Sequence, residues 1–368
     1  MANDSTTQSK SIWLPLSLIG CLVVGFIARG YWESIAETKT TSTGKPHFDF
    51  IVGGPDPFWD TVVAGAQAAA DEYGVDLEVH TPSGRPADQT IELAKVESKG
   101  SNGVAISPIA PDEQSLLLSR LATKSILVTF DNDAPQSLRH CYVGTNNFVA
   151  GKMCAKVVEE ALPDGGNIVV FIGDVERDNA KERLRGFHSQ LVGADSKSEE
   201  ADYPLKKAYG DKWIVMETYL DDQDSKQAEE NVKNAIEQHK DIDCMVGLYG
   251  YNGPACLKVL KDEEKIGDIK IVAFDEHEAT LEGVANGAIF ATVVQGTYEY
   301  GFESVRLLTS LFNSNEHSIP LGGTGFVFLP CSVVNQENIA DHREKLDKRL
   351  ASNKSSSQTD SAKTNAGE

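Results

Sequence analysis

Five short segments carry the donors, acceptors and rings that could grip a hydroxylated ring: Asp56-Pro57-Phe58-Trp59, Asp131-Asn132-Asp133, Tyr249-Gly250-Tyr251-Asn252, Asp275 and Gln295. Carboxylates and amides each exchange two hydrogen bonds with vicinal hydroxyls, and aromatic rings cover the apolar C–H faces of a pyranose or furanose. Taken singly, such residues have plainer uses. An Asp after a strand is commonly a helix N-cap, and an aromatic pair there is commonly core. Recurrence of the same chemistry in five places weighs toward a shared site for a sugar. A different reading makes Asp131 and Asp275 the acid and nucleophile of a glycosidase. Neither lies in a recognisable catalytic motif, so no catalytic residue is expected. No CxxC and no Cys/His cluster with metal spacing is present, so neither a metal centre nor a cofactor is expected.

These segments need a frame that brings them together. From Phe48 onward, short β-branched runs at 49–52, 75–80, 103–107, 126–130, 167–172, 213–218, 244–248, 270–274 and 289–293 alternate with amphipathic stretches. In residues 59–73, Val62, Val63, Ala66, Ala69, Ala70 and Tyr73 recur at three- and four-residue steps, which predicts a helix. Several runs are apolar on both faces, as in a parallel sheet covered by helices on each side. The alternation resumes after the turn-rich Leu162-Pro163-Asp164-Gly165-Gly166, which implies two similar lobes with a cleft between them. In such sheets ligands bind beyond the carboxyl ends of the strands, where the five segments fall. Residues 193–212 break the rhythm with a polar, acidic stretch that reads as a surface insertion containing a short helix.

The chain has 368 residues, 40% of them hydrophobic and 24% charged, so its bulk is neither disordered nor a polytopic membrane protein. A formal charge of −21 repels phosphate backbones and excludes nucleic acid as a partner. Residues 11–28 form an uncharged run of 18 between Lys10 and Arg29, long enough to span hydrocarbon as a helix. It reads as a signal anchor, as a lipoprotein signal cut before Cys21, where lipidation would follow, or as a cleaved signal peptide. Each exports the remainder to the periplasm or cell envelope; the anchor and lipoprotein readings tether it to the cytoplasmic membrane. Residues 33–46 then read as a flexible tether, and 341–368 as a disordered polar tail. Apart from Cys21, five cysteines remain, so at least one is unpaired; Cys141/Cys154 and Cys244/Cys256 are close enough to bridge or are simply buried hydrophobes.

From about Phe48 to Ile339, roughly four fifths of the chain, the sequence resembles the periplasmic sugar-binding proteins of the ribose/galactose type. The resemblance rests on Pro57-Phe58-Trp59, Phe130-Asp131, Tyr142-Val143-Gly144-Thr145-Asn146-Asn147 before Ala150-Gly151, the run Asn179 to Phe187, Ala273-Phe274-Asp275, and Ala291-Thr292-Val293-Val294-Gln295. It implies the type I fold: two doubly wound parallel-sheet α/β lobes joined by a three-strand hinge, here preceded by an N-terminal hydrophobic helix. Lobe one would comprise 46–145 and 296–324, lobe two 146–295 and 325–340, with crossings near Thr145, Gln295 and Thr324.

By position, the resemblance makes Asp56 a counterpart of a ligand-binding Asn, Phe58 and Trp59 stacking rings, and Asp131 a hydroxyl acceptor. Asn132 stands where ribose binders carry Arg, which puts ribose itself in doubt. Lys181 takes the place of another family Arg, with Arg183 one register further on and Asn179 able to compensate. Tyr251 or Asn252 occupies the place of a family Asn, Thr145 lies at the first crossing, and Asp275 and Gln295 match directly. The implied function is a monomeric receptor that captures a monosaccharide or polyol in the interlobe cleft and delivers it to an ABC importer. Alternatives are a sugar-sensing partner of a membrane signalling receptor and, less in keeping, the glycosidase. A transcription regulator is excluded because the short segment before lobe one holds the apolar run and no helix-turn-helix.

Overall fold

The computed structural model describes residues 45–175, 177–192, 206–209, 212–313 and 325–364. The apolar run 11–28 and its expected helix, Cys21, the tether up to residue 44, most of the 193–212 insertion and the crossing expected near Thr324 lie outside them. Among the described residues no helix is long and apolar enough to cross a membrane. The described elements belong to the compact unit Pro46–Glu368.

Thirteen strands are described: β1 (His47–Ile51), β2 (Asp76–His80), β3 (Gly103–Ile106), β4 (Ile126–Phe130), β5 (Cys141–Thr145), β6 (Gly166–Ile172), β7 (Lys206–Tyr209), β8 (Trp213–Leu220), β9 (Cys244–Gly247), β10 (Lys270–Phe274), β11 (Ala291–Val294), β12 (Phe326–Leu329) and β13 (Ser332–Asn335). They form two sheets, ordered β12-β5-β4-β3-β1-β2 and β13-β11-β10-β9-β6-β8-β7. All described pairings are parallel except those of β7 with β8 and of β13 with β11, at the two edges of the second sheet. The helices are α1 (Phe58–Tyr73), α2 (Pro86–Lys99), α3 (Pro111–Ala122), α4 (Asn147–Ala161), α5 (Asp178–Val192), α6 (Ser225–Gln238), α7 (Asn252–Asp262), α8 (Glu278–Asn286), α9 (Thr297–Phe312) and α10 (Ile339–Thr364).

Burial on both faces explains the continuous apolar runs. In β1, Phe48 and Phe50 pack with Val62 of α1 and Leu308 of α9, while Ile51 packs on the other face with Leu93 of α2 and Leu118 of α3. Two helix pairs approach so closely that only glycine fits. A Cβ on Gly65 of α1 would lie 1.9 Å from the Tyr298 carbonyl oxygen of α9, and one on Gly151 of α4 would lie 1.9 Å from that of Arg183 in α5.

The structure corrects two expectations. β12 pairs with β5 of the first sheet and β13 with β11 of the second, so the third crossing is at Pro330-Cys331 and Phe326–Leu329 belongs to lobe one rather than lobe two. Where a disordered tail was expected from 341, α10 runs from Ile339 to Thr364. It is anchored: Ile339 and Leu346 pack on lobe two, and His342, Arg343 and Arg349 pair with Glu276, Glu278 and Glu299. Of the insertion, residues 206–209 form edge strand β7, and the short helix expected within it falls on residues outside the described ones. Cys141, Cys154, Cys244, Cys256 and Cys331 are free, the first four of them buried, so no bridge joins the two candidate pairs.

Candidate functional site

The site is built on a local unit that occurs twice. Phe130-Asp131 ends β4 and Phe274-Asp275 ends β10, and both aspartates adopt left-handed φ, 58° and 63°. That conformation is unfavourable for a side chain with a Cβ, and the neighbouring strand holds it in place. Asp131 N donates to Val143 O at 3.0 Å and Asp275 N to Val293 O at 2.8 Å. The Tyr142 and Thr292 hydroxyls donate to the carbonyls of Asp131 and Asp275, each at 2.7 Å. The turn sets each carboxylate at the carboxyl end of its sheet.

Arg183 of α5 links the two. It is only 3% exposed, and its guanidinium stacks on Phe274 at 3.8 Å. It donates to Leu248 O at 2.6 Å and to Asn147 Oδ1 at 2.8 Å. Burial pushes the Asp275 carboxyl up to about 7; Arg183 and Gln295 pull it down, and the charge of Asp131 pushes it up. Burial likewise raises Asp131 to about 6 against the pull of Arg183 and a 3.3 Å hydrogen bond from Ser107. Carboxylates from opposite lobes thus both feel the charge of one buried cation, whose hydrogen bonds go to Leu248 O, Asn147 and Gln295. Both aspartates keep partial exposure, so water still reaches them.

Buried Gln295 donates to Asp275 Oδ1 at 2.9 Å and accepts from the Tyr300 hydroxyl at 3.0 Å. Tyr300 in turn is bonded to Thr145, so the first two crossings are tied by the chain Thr145–Tyr300–Gln295–Asp275. Trp59 is half-buried, edge-on to Phe130 at 6.2 Å and to Phe58 at 4.8 Å, beside the Asp131 turn. A groove of about 390 Å³ is lined by Asp131, Asn132, Thr145 and Asn179 together with Tyr142 and Phe328, and so receives side chains from both lobes.

The structure therefore brings together Asp131, Asn132, Thr145, Asn179, Arg183, Asp275 and Gln295, with Trp59 and Phe58 alongside. Asn132 donates to Pro108 O at 2.9 Å, and Asn179 accepts from the Tyr249 hydroxyl at 3.2 Å. It does not bring in four others. Asp56 is exposed and accepts from Phe58 N at 2.8 Å, capping its own turn. Lys181 is exposed on α5. Asn252 is fully buried, donating to Asp221 at 2.7 Å and accepting from Tyr249 N at 3.0 Å, which makes it a brace for the loop. Tyr251 donates to the same Asp221 at 2.5 Å.

Sequence reasoning missed Asp221, Asn147 and Tyr300. Asp221 follows β8 just as Asp275 follows β10, and that position was the available signal. Asn147 lies in the Asn146-Asn147 pair that opens α4; nothing local marks Tyr300.

The family model described as a periplasmic binding protein domain matches residues 50–316, well over half of the chain. The ribose import binding protein RbsB of Haemophilus influenzae is 23% identical over 240 residues, covering 65% of this chain and 76% of that protein. A putative rhizopine-binding protein of Rhizobium meliloti is 19% identical over 330 residues, covering 88% and 98%. Among solved structures, an ABC transporter solute binding protein from Burkholderia graminis in complex with D-arabinose is similar, with TM-score 0.69, 27% identity and coverage of 80% of this chain and 96% of that one. With two parallel-sheet lobes, a cleft at the strand ends and this match across both, the chain belongs to the periplasmic binding protein domain family.

Proposed function

We propose that the chain is an extracytoplasmic receptor that captures a monosaccharide or related polyol between its lobes and hands it to an ABC importer, without chemical change to the ligand. The observation that carries this reading is the convergence of Asp131, Asp275 and Arg183 from two lobes beside Trp59. A neutral polyol suits the set: hydroxyls donate to the carboxylates and accept from the guanidinium, and the indole covers a C–H face. The ribose- and arabinose-binding relatives support a sugar as ligand, and their import role supports the transporter.

Asn132, where ribose binders carry Arg, argues against ribose itself and for a different pentose, hexose or polyol. Capture would proceed by closure about the three crossings, because only the closed form lets both lobes touch the ligand. The apolar run 11–28 supports tethering to the cytoplasmic membrane, by anchor or by lipid on Cys21, with the receptor acting as a monomer.

Titration calorimetry of the chain against pentoses, hexoses and polyols tests the reading. One saturable sugar is expected, with binding at least tenfold weaker in Asp275→Ala and Trp59→Ala variants that still fold. No binder in the panel, or unchanged affinity in both variants, would refute it.

A further inference from the structure

A second polar cluster lies on lobe one at the far end of β1 from the Phe58 turn. Register pairs His47 with Asp76, Asp49 with Glu78 and Ile51 with His80, so the side chains of 47, 49, 76, 78 and 80 share one face of the β1–β2 edge. Helix α2 covers that face, and its Lys99 pairs with Glu78.

Asp49 is fully buried. Its Oδ1 bonds His80 Nε2 at 2.7 Å, while no hydrogen bond reaches its Oδ2. His47 Nδ1 bonds Asp76 Oδ2 at 2.8 Å, so in the neutral ring the proton sits on Nδ1 and the lone pair on Nε2. That Nε2 is also buried and without a hydrogen bond; it faces Asp49 Oδ2 at 3.5 Å and Glu78 Oε2 at 3.7 Å. Three electron-pair donors converge within 4.8 Å of one another. Buried lone pairs that face each other across a gap repel, and enclosed polar atoms left unpaired are costly. The charge is unbalanced as well. Among the described residues Asp49, Asp76, Glu78 and Glu92 face two lysines, Lys95 and Lys99, and the imidazoles of His47 and His80, so carboxylates outnumber the permanent cations.

We propose that this gap is a binding site for a divalent transition cation of the zinc class, ligated by His47 Nε2, Asp49 Oδ2 and Glu78 Oε2. Tetrahedral ligands about 2.0–2.1 Å from zinc lie about 3.3 Å apart, near the 3.5 and 3.7 Å spacings here. An imidazole donor favours such an ion over calcium or magnesium, which take oxygen. The outer partners complete the arrangement: Asp76 orients His47 through its other ring nitrogen, and His80 holds the second oxygen of Asp49. The ion clamps edge strand β2 to β1, away from the cleft.

The test is titration of the EDTA-stripped full-length chain with zinc chloride at pH 7.5, with thermal melts in zinc and in EDTA. One zinc per chain and a raised melting temperature are expected. His47→Gln should weaken uptake at least tenfold and Asp76→Asn by about 10–100-fold, while His277→Gln leaves it intact. Asp49→Asn should also abolish uptake; should it fail to fold in EDTA, the more exposed His47→Gln decides alone. No uptake at about 100 μM free zinc, or uptake undiminished by His47→Gln, overturns the proposal; stability that follows pH but not zinc would assign the gap to a proton.

Discussion

The two lobes present the same scaffold to the cleft with opposite chemistry. In lobe one, α1 packs on α9 through Gly65 and Gly301; in lobe two, α5 packs on α4 through Gly186 and Gly151. The correspondence extends to single residues. A Cβ on Gly301 would meet Val62 O at 1.8 Å, and one on Gly151 would meet Arg183 O at 1.9 Å, so Val62 and Arg183 hold equivalent places. Val62 is fully buried in an apolar cluster, and Arg183 is the cation whose charge Asp131 and Asp275 both feel. Likewise Phe58 and Asn179 stand seven residues before Gly65 and Gly186. On this helix pair, lobe one therefore supplies a ring and an apolar contact where lobe two supplies an amide and a cation, from one shared frame. The division teaches that the helix pairs fix position and the side chains on them set polarity.

The largest effect should come from attacking the shared frame. Gly151→Val and Gly301→Val each push a side chain into a backbone carbonyl that no rotamer change relieves. Each should destabilise by about 3 kcal/mol or more, at the upper end of overpacking costs, seen as a lowered melting temperature by circular dichroism. If only one of the two does so, the equivalence of the pairs is broken. Next is Arg183→Met, which keeps the length and removes the charge. Sugar affinity should fall about 100-fold, since a charge-assisted hydrogen bond contributes ~1.5–3 kcal/mol and two carboxylates lose the charge of a nearby cation. Loss of less than threefold by calorimetry would mean that Arg183 serves packing alone.

A tenfold effect is expected from pH. With Asp275 raised to about 7 and Asp131 to about 6, both by burial, the ionised acceptor forms grow as pH rises from about 5.5 to 8, and affinity should rise with them. Stability of the free protein should move the other way. The folded form holds protons that the unfolded chain, near 3.8, has released, so stability falls as pH rises from about 4 to 7 and levels off above. Asp275→Asn should remove the upper part of both slopes. A melting temperature that climbs across pH 4–7 in the wild type, with no change of slope in the variant, would contradict the buried, shared-cation geometry.

The frame was largely legible because burial on both sheet faces leaves apolar runs that need no partner to be recognised. What escaped was short or set by distant contacts. β12 and β13 are four residues each, and their assignment to different lobes depends on pairing with β5 and β11 far back in the chain. The placement of Asp131, Asp275 and Gln295 at the carboxyl ends of the sheets could be read because each directly follows a strand. Asn252 could not be told from a ligand contact, because its burial depends on Asp221, thirty-one residues earlier. The His47, Asp49 and Glu78 cluster escaped for the same reason: its members share a face only once β1 and β2 pair.

The smallest effect settles the register of α5. The sequence left Lys181 and Arg183 competing for one role, because both are cationic and two residues apart. On a helix that separation turns side chains by about 200°, so only one can face the cleft. Lys181 is exposed and Arg183 is buried on Phe274. Lys181→Ala should accordingly change sugar affinity by less than about twofold, within the ±0.5 kcal/mol usual for surface substitutions. A tenfold loss in that variant, beside a mild one in Arg183→Met, would rotate the helix by that half turn and move the cation of lobe two out of the place equivalent to Val62.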